Sequence, residues 1–295
     1  MTKALVLSGG GSVGIAWEIG VAAGLARQGV DLRTADFIVG TSAGSAVGAQ
    51  LALGRDPDHV AGRYHTAGRR VTDTAAGSGA PTSHQMARLL ELVEAAMTGE
   101  GPAESRRATV GKFALEADAM PEDAFVAGFR YLKGEPWPAR FACPAVDALS
   151  GEFVVWDSRA GVDLDRAVAS SCAVPGLFAP ISIKGRRYID GGFRSATNAD
   201  LATGHDRVLI VSVLSGARAA GPVDSRLSPG RQLDDEVAAL TASGSVVAVL
   251  AVDDAGARAM GGNFMDPSAG RTAVDEGIRQ GEAEAGRLAE FWSAT

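Results

Sequence analysis

The first fifty or so residues run twice through the same order: a short apolar run, a glycine-rich turn, then a helical pattern. Ala4-Leu5-Val6-Leu7 enters Gly9-Gly10-Gly11. Ile15, Ile19, Ala22 and Ala26 then recur at helical spacing beside a second stripe of Trp17, Val21 and Leu25, and Gly29 stops the helix. Phe37-Ile38-Val39 repeats the apolar run, and Gly40-Thr41-Ser42-Ala43-Gly44 turns it into a helix reaching about Ala52. Buried strands that alternate with helices cannot pair as hairpins, so this order predicts an α/β fold with a mostly parallel central sheet.

Strand signals then lapse over about 55–135, which reads as a helical insertion. Within it Met86, Leu89, Leu90, Val93 and Met97 fall at helical spacing, as core or as the wall of an acyl pocket, and Gly99 to Arg107 reads as an irregular, mobile loop. Phe141–Ala148 and Glu152–Trp156 flank Leu149-Ser150-Gly151 as a hairpin. Arg166 to Cys172 reads as a short helix, Tyr188-Ile189 as a strand entering Asp190-Gly191-Gly192, and Arg207–Val213 and Val246–Val252 as further strands. Gly216 to Asp235 is polar and is expected to form a mobile, lid-like segment. Val274, Ile278, Gly281, Ala285, Leu288 and Trp292 share one face of a closing helix, which should dock on the core. One domain over 1–295 is expected.

Composition excludes several classes. Hydrophobic residues make up 46% and charged residues 21%, the balance of a soluble globular protein, and the formal net charge of −7 argues against a nucleic-acid partner. Cys143 and Cys172 form no CxxC pair, and His59, His65, His84 and His205 show no metal-ligand spacing, so neither a metal nor a cofactor is expected. With no signal peptide and no apolar run of about 20 residues, a cytoplasmic location is expected.

Three local motifs carry chemistry. G-x-S-x-G between a strand and a helix forces the Ser42 hydroxyl out of a tight turn, as a nucleophile elbow does, although a Gly-Ser turn with Ser42 as helix cap would share the pattern. Gly9 to Gly14 also opens a helix and could bind an anion. A dinucleotide site needs an acidic residue at the end of the second strand, where the chain has the elbow instead, and a P-loop needs Gly-Lys-Ser/Thr. An oxyanion hole remains, with backbone N–H groups aimed at a carbonyl oxygen. Asp190-Gly191-Gly192 ends a strand and is by itself compatible with an ordinary turn. His205 follows Asp190 in the order of a Ser–Asp–His triad, but it precedes its strand, at the wrong edge for an active site.

Taken together, Gly9–Gly14, Ser42 within Gly40–Gly44, Asp190 with Gly191 and Gly192, and the run Ser170-Ser171-Cys172-Ala173-Val174-Pro175-Gly176-Leu177-Phe178-Ala179-Pro180 resemble the patatin-like phospholipase family. The resemblance loosens beyond about Ser215. It implies a three-layer α/β/α fold and hydrolysis of lipid acyl esters without a cofactor, with transient contact at a membrane surface. Ser42 would be the nucleophile, Asp190 the base of a His-less dyad, and the N–H groups of Gly9, Gly10 and Gly11 the oxyanion hole; Gly14, Gly40, Gly44, Gly191 and Gly192 would support the motifs. Val13 stands where many members carry Arg or Lys. Two rivals are a non-catalytic lipid- or anion-binding protein on the same fold and a triad hydrolase using His205.

Overall fold

The computed structural model describes residues 1–66, 87–88, 91–92, 94, 96, 100–214 and 229–293. Its strands are β1 (Lys3–Leu7), β2 (Phe37–Gly40), β3 (Phe141–Asp147), β4 (Phe153–Trp156), β5 (Ile181–Ile183), β6 (Arg186–Asp190), β7 (Arg207–Ser212) and β8 (Val246–Ala251). They join in the order β5-β6-β3-β2-β1-β7-β8, with β4 hydrogen-bonded to β3. The run β3-β2-β1-β7-β8 is parallel, whereas β4 and β6 lie antiparallel to β3 and β5 antiparallel to β6.

Alternation along the strands builds the layers. Leu5 and Leu7 of β1 and Leu209 and Val211 of β7 enter one core with α1 (Gly11–Arg27), α2 (Ala43–Ala52), α3 (Pro57–Thr66) and α9 (Gly270–Ser293). Their neighbours Ala4, Val6, Val208 and Ile210 face the other way, onto Leu233 and Leu240 of α7 (Pro229–Ala242). At the antiparallel end, Val146 and Ile189 pack against Val110 and Ala114 of α4 (Ala103–Glu116). Helices thus cover both faces of a mixed sheet, the expected three-layer arrangement. Three further α-helices among the described residues are α5 (Glu122–Val126), α6 (Leu164–Ser171) and α8 (Asp254–Met260). No helix among the described residues is long and apolar enough to cross a membrane.

The first and last helices meet backbone to backbone. A Cβ on Gly20 would stand 2.4 Å from the Val274 carbonyl oxygen, and one on Gly277 would stand 2.3 Å from that of Trp17. Neither position tolerates any side chain. The expected apolar face of α9 is buried from Val274 to Trp292.

Two expectations change. Gly99 to Arg107 is not irregular throughout, because α4 begins at Ala103, directly after Pro102. Of Gly216 to Asp235, the part from Pro229 onward belongs to α7, and 216–228 lie outside the described residues. Met86, Leu89, Leu90, Val93 and Met97 also lie outside them.

Candidate active site

Ser42 sits between β2 and α2 with φ 50° and ψ −117°, a left-handed backbone that an L-residue adopts only under constraint. Close packing supplies the constraint. A Cβ on Gly44 would lie 2.3 Å from the Leu7 carbonyl oxygen, so the first turn of α2 presses directly on the end of β1. Thr41 N–H donates to Leu7 O (3.0 Å) and Gly44 N–H to Ser8 O (2.9 Å). The elbow predicted from sequence is therefore a tertiary clamp as much as a local turn.

Asp190 reaches this point because β3 outruns β2. Ile38 and Val39 pair with Phe141 and Ala142, but β3 continues to Asp147, and β6 returns along it with Asp190 opposite Ala145. The last residue of β6 thus arrives just beyond the end of β2, beside Ser42. Asp190 is 3% exposed and Ser42 8%. Burial pushes the Asp190 carboxyl up to about 7, opposed by the neighbouring Ser42 hydroxyl and by a hydrogen bond from Gly192 N–H. The Gly192 bond, to Oδ1, is 2.7 Å long.

The glycine-rich loop flanks the same spot, for a Cβ on Gly9 would be 3.6 Å from Ser42 Cβ. Its three glycines are not equivalent. Gly9 commits its N–H to Ala196 O (2.8 Å), whereas the N–H groups of Gly10 and Gly11 have no partner among the described residues. Gly11 has φ +63°, and a Cβ there would meet Phe264 O at 2.5 Å. Val13 is fully buried and donates its N–H to that same oxygen (3.1 Å). The position where the family resemblance led to an expected cation is here part of the core.

Several supporting residues have no assigned role in the sequence. Ser42 N–H donates to Ser171 Oγ (3.1 Å), Cys172 Sγ–H to Ser42 O (3.0 Å), and Asp190 N–H to Ala173 O (3.0 Å). The run Ser171–Ala173 therefore holds Ser42 and Asp190 together. Its resemblance to the family is the only signal for it. Burial, and then the Asp190 charge, push the Cys172 thiol up, so it stays neutral. Behind the loop, Glu18 is 1% exposed with neither carboxyl oxygen hydrogen-bonded among the described residues, and burial raises its carboxyl well above the ordinary range.

The histidines stand elsewhere. His205 precedes β7 at the amino ends of the parallel strands, stacked on Phe37 at 5.3 Å with Nδ1 against Ala202 O (3.0 Å). His59 lies on α3, as does His65, whose Nε2 meets Asp275 Oδ1 at 2.7 Å; His84 lies outside the described residues.

An α/β/α sheet that brings a strained serine, a buried aspartate and a glycine-rich loop together defines a class of fold and site. A family model described as Patatin-like phospholipase matches residues 5–203, and the chain belongs to that family. It is similar to uncharacterized NTE family proteins of Mycobacterium tuberculosis and Mycobacterium bovis, 31% identical over 222 residues, covering 74% of this chain and 50% of each relative. The chain thus spans about half the length of those relatives. Among solved structures, VipD from Legionella pneumophila superposes with a TM-score of 0.45 at 15% identity, covering 97% of this chain and 67% of that one. ExoU, in complex with SpcU from Pseudomonas aeruginosa, gives 0.44 at 14% identity, covering 100% and 53%.

Proposed function

We propose that the chain is a serine acyl hydrolase that cleaves carboxylic esters of lipids through a Ser42–Asp190 dyad. The observation that carries this reading is the Asp190 carboxyl, buried beside the strained Ser42 and raised to about 7 by that burial. An aspartate at its ordinary value of about 3.9 is a weak base, and one near 7 is matched to accepting a proton at neutral pH.

In the proposed reaction Asp190 takes the Ser42 proton as Oγ attacks the ester carbonyl. The N–H groups of Gly10 and Gly11, at the start of α1 and without a partner among the described residues, receive the developing oxyanion, helped by the positive end of that helix. Gly9 supports the loop through Ala196 rather than donating to substrate. Protonated Asp190 returns its proton to the departing alcohol. It then takes a proton from water as that water attacks the acyl-enzyme carbonyl, and passes it to Ser42 Oγ as the Oγ–acyl bond breaks and the acid departs. A lipid ester is the substrate class because of family membership, and such a substrate would be met at a lipid surface.

The test is labelling by a fluorophosphonate probe together with turnover of p-nitrophenyl esters of short and long chains. Labelling at Ser42, lost in Ser42→Ala, with turnover lost in both Ser42→Ala and Asp190→Asn, is the expected result. Folded wild-type protein that neither labels nor turns over any ester, with or without lipid vesicles, would overturn the reading in favour of a binding protein. Comparable losses in His205→Ala but not in Asp190→Asn would sink the dyad.

A further inference from the structure

The short loop Ser195–Ala199 touches all three motif loops at once. Ala196 O accepts the Gly9 N–H of the glycine-rich loop at 2.8 Å. Thr197 O accepts the Thr41 hydroxyl of the elbow at 3.3 Å, and Asn198 Nδ2 donates back to Thr41 Oγ1 at 3.0 Å. The same Nδ2 reaches Gly191 O, beside Asp190, at 3.3 Å. Asn198 itself has φ 49°, in the left-handed region that asparagine enters more readily than other side-chain-bearing residues.

What holds the loop is a carboxylate from another layer. Glu236, on α7, accepts the Ser195 hydroxyl at 2.5 Å through Oε1, and through Oε2 it accepts the Thr197 hydroxyl and the Ala199 N–H (3.3 Å). Ser195 Oγ in turn accepts the N–H groups of Asn198 (2.9 Å) and Thr197 (3.2 Å). One turn earlier on the helix, Gln232 Nε2 donates to Arg194 O (3.1 Å). Three hydrogen bonds converge on one half-buried side chain; burial raises the Glu236 carboxyl, and the bonds from Ser195, Thr197 and Ala199 oppose that rise.

Resting on the serine-hydrolase reading for its catalytic consequence, we infer that Glu236 is a positioning residue. It fixes Ser195–Ala199, through Ala196 O the Gly9 peptide, and thereby the direction of the Gly10 and Gly11 N–H groups. Glu236 lies beyond residues 5–203 matched by the family model, on a helix that the sequence pattern did not reveal. It touches no reacting atom and acts only through the loop. Misplacing catalytic groups by about 1 Å can cost on the order of 10²-fold, so its loss should be felt in turnover.

The experiment compares Glu236→Ala and Glu236→Gln with the parent by p-nitrophenyl ester kinetics, fluorophosphonate labelling rate and residue-resolved amide hydrogen exchange. Glu236→Ala should lower kcat and the labelling rate by about tenfold or more while KM stays within about threefold. Exchange should quicken at the Gly9 and Asn198 amides and stay unchanged at Val6 and Val208 in the sheet. Glu236→Gln, whose single acceptor oxygen can serve only one of the two arms, should lose clearly less activity than Glu236→Ala.

Unchanged kcat and unchanged exchange at Gly9 in folded Glu236→Ala would overturn the inference. So would acceleration spread evenly over the sheet, the mark of general destabilisation, or equal losses in the Gln and Ala variants. Should Glu236→Ala fail to fold, Ser195→Ala and Thr197→Val each remove one arm of the latch and must give the same loop-limited exchange. The exchange arm reads out even if the parent proves to have no esterase activity, so failure of the positioning role and failure of the proposed function are separable.

Discussion

The backbone N–H of Ser42 donates to the hydroxyl of Ser171 at 3.1 Å, across 129 residues of chain. Both residues are buried. Ser171→Ala should leave a buried N–H unpaired at the most strained residue of the elbow, a cost of about 1–3 kcal/mol. Urea denaturation should show that loss with an unchanged m-value. Turnover should fall with it, because the bond orients the nucleophile's backbone.

Asp190 should set the acid limb of activity. Only its ionised form can take the Ser42 proton, so kcat/KM should rise with pH through a midpoint near 7. Stability should run the opposite way. A carboxyl that titrates at about 7 in the native state and near 3.8 in the unfolded chain favours folding below about pH 4, and that contribution is lost as pH rises through about 7. Asp190→Asn, neutral at every pH, should therefore melt above the wild type at pH 8, by up to a few kcal/mol, and match it near pH 3.5. A variant that is dead yet more stable at pH 8 is the expected outcome of thermal scans at the two pH values.

Glu18 should show the same pH signature without the loss of chemistry. Its native value is raised, so ionisation opposes folding at every pH above its unfolded value of about 4.5. Glu18→Gln should raise Tm at pH 8 and leave it nearly unchanged at pH 4. Turnover at pH 7 should remain within about threefold of wild type, since no step of the proposed reaction uses this carboxyl.

The backbone direction at Gly10 can be tested by a paired substitution. A Cβ on Gly10 would lie 2.8–2.9 Å from three side-chain carbons of Val213, whose own N–H is fixed to Ser8 Oγ at 2.9 Å. Gly10→Ala should push the oxyanion donors aside and lower kcat by on the order of 10²-fold, the usual cost of a lost donor. Val213→Ala in the same chain removes two of the three carbons and leaves Cβ at 2.9 Å, so it should restore part of that loss. Steady-state kinetics on the four members of the cycle measure the coupling, which should be strongly non-additive.

The parts of this site that are legible in the sequence share a physical reason. Gly44 and Ser42 are constrained within a tight turn only a few residues long, and the order of apolar runs around Gly9–Gly14 and Gly40–Gly44 is enough to place both glycine-rich turns between strand and helix. Asp190 reads by itself only as a turn-like motif, and the family resemblance is what gives it a partner. Ala196, Asn198 and Glu236 act through contacts that close over long sequence distances and have no short-range signature. β5 is three residues long, too short for alternation to show. α4 and α7 are largely polar on their exposed sides, which hides their period, although Pro102 just before one and Pro229 at the start of the other mark the helix starts.

The contact between Gly20 on α1 and Gly277 on α9 has a bearing on where this protein can be cut. The segment matched by the family model closes at residue 203, yet the groove along the first helix is lined by bare backbone that only the last helix fills. A fragment ending near 203 would keep each signature motif and still expose that groove, with Gly10 and Gly11 mounted on a helix that has lost its seat. For an engineer trimming or fusing this chain, the two ends behave as the halves of one clasp, and a graft that opens it would reach Ser42 from the far end of the sequence.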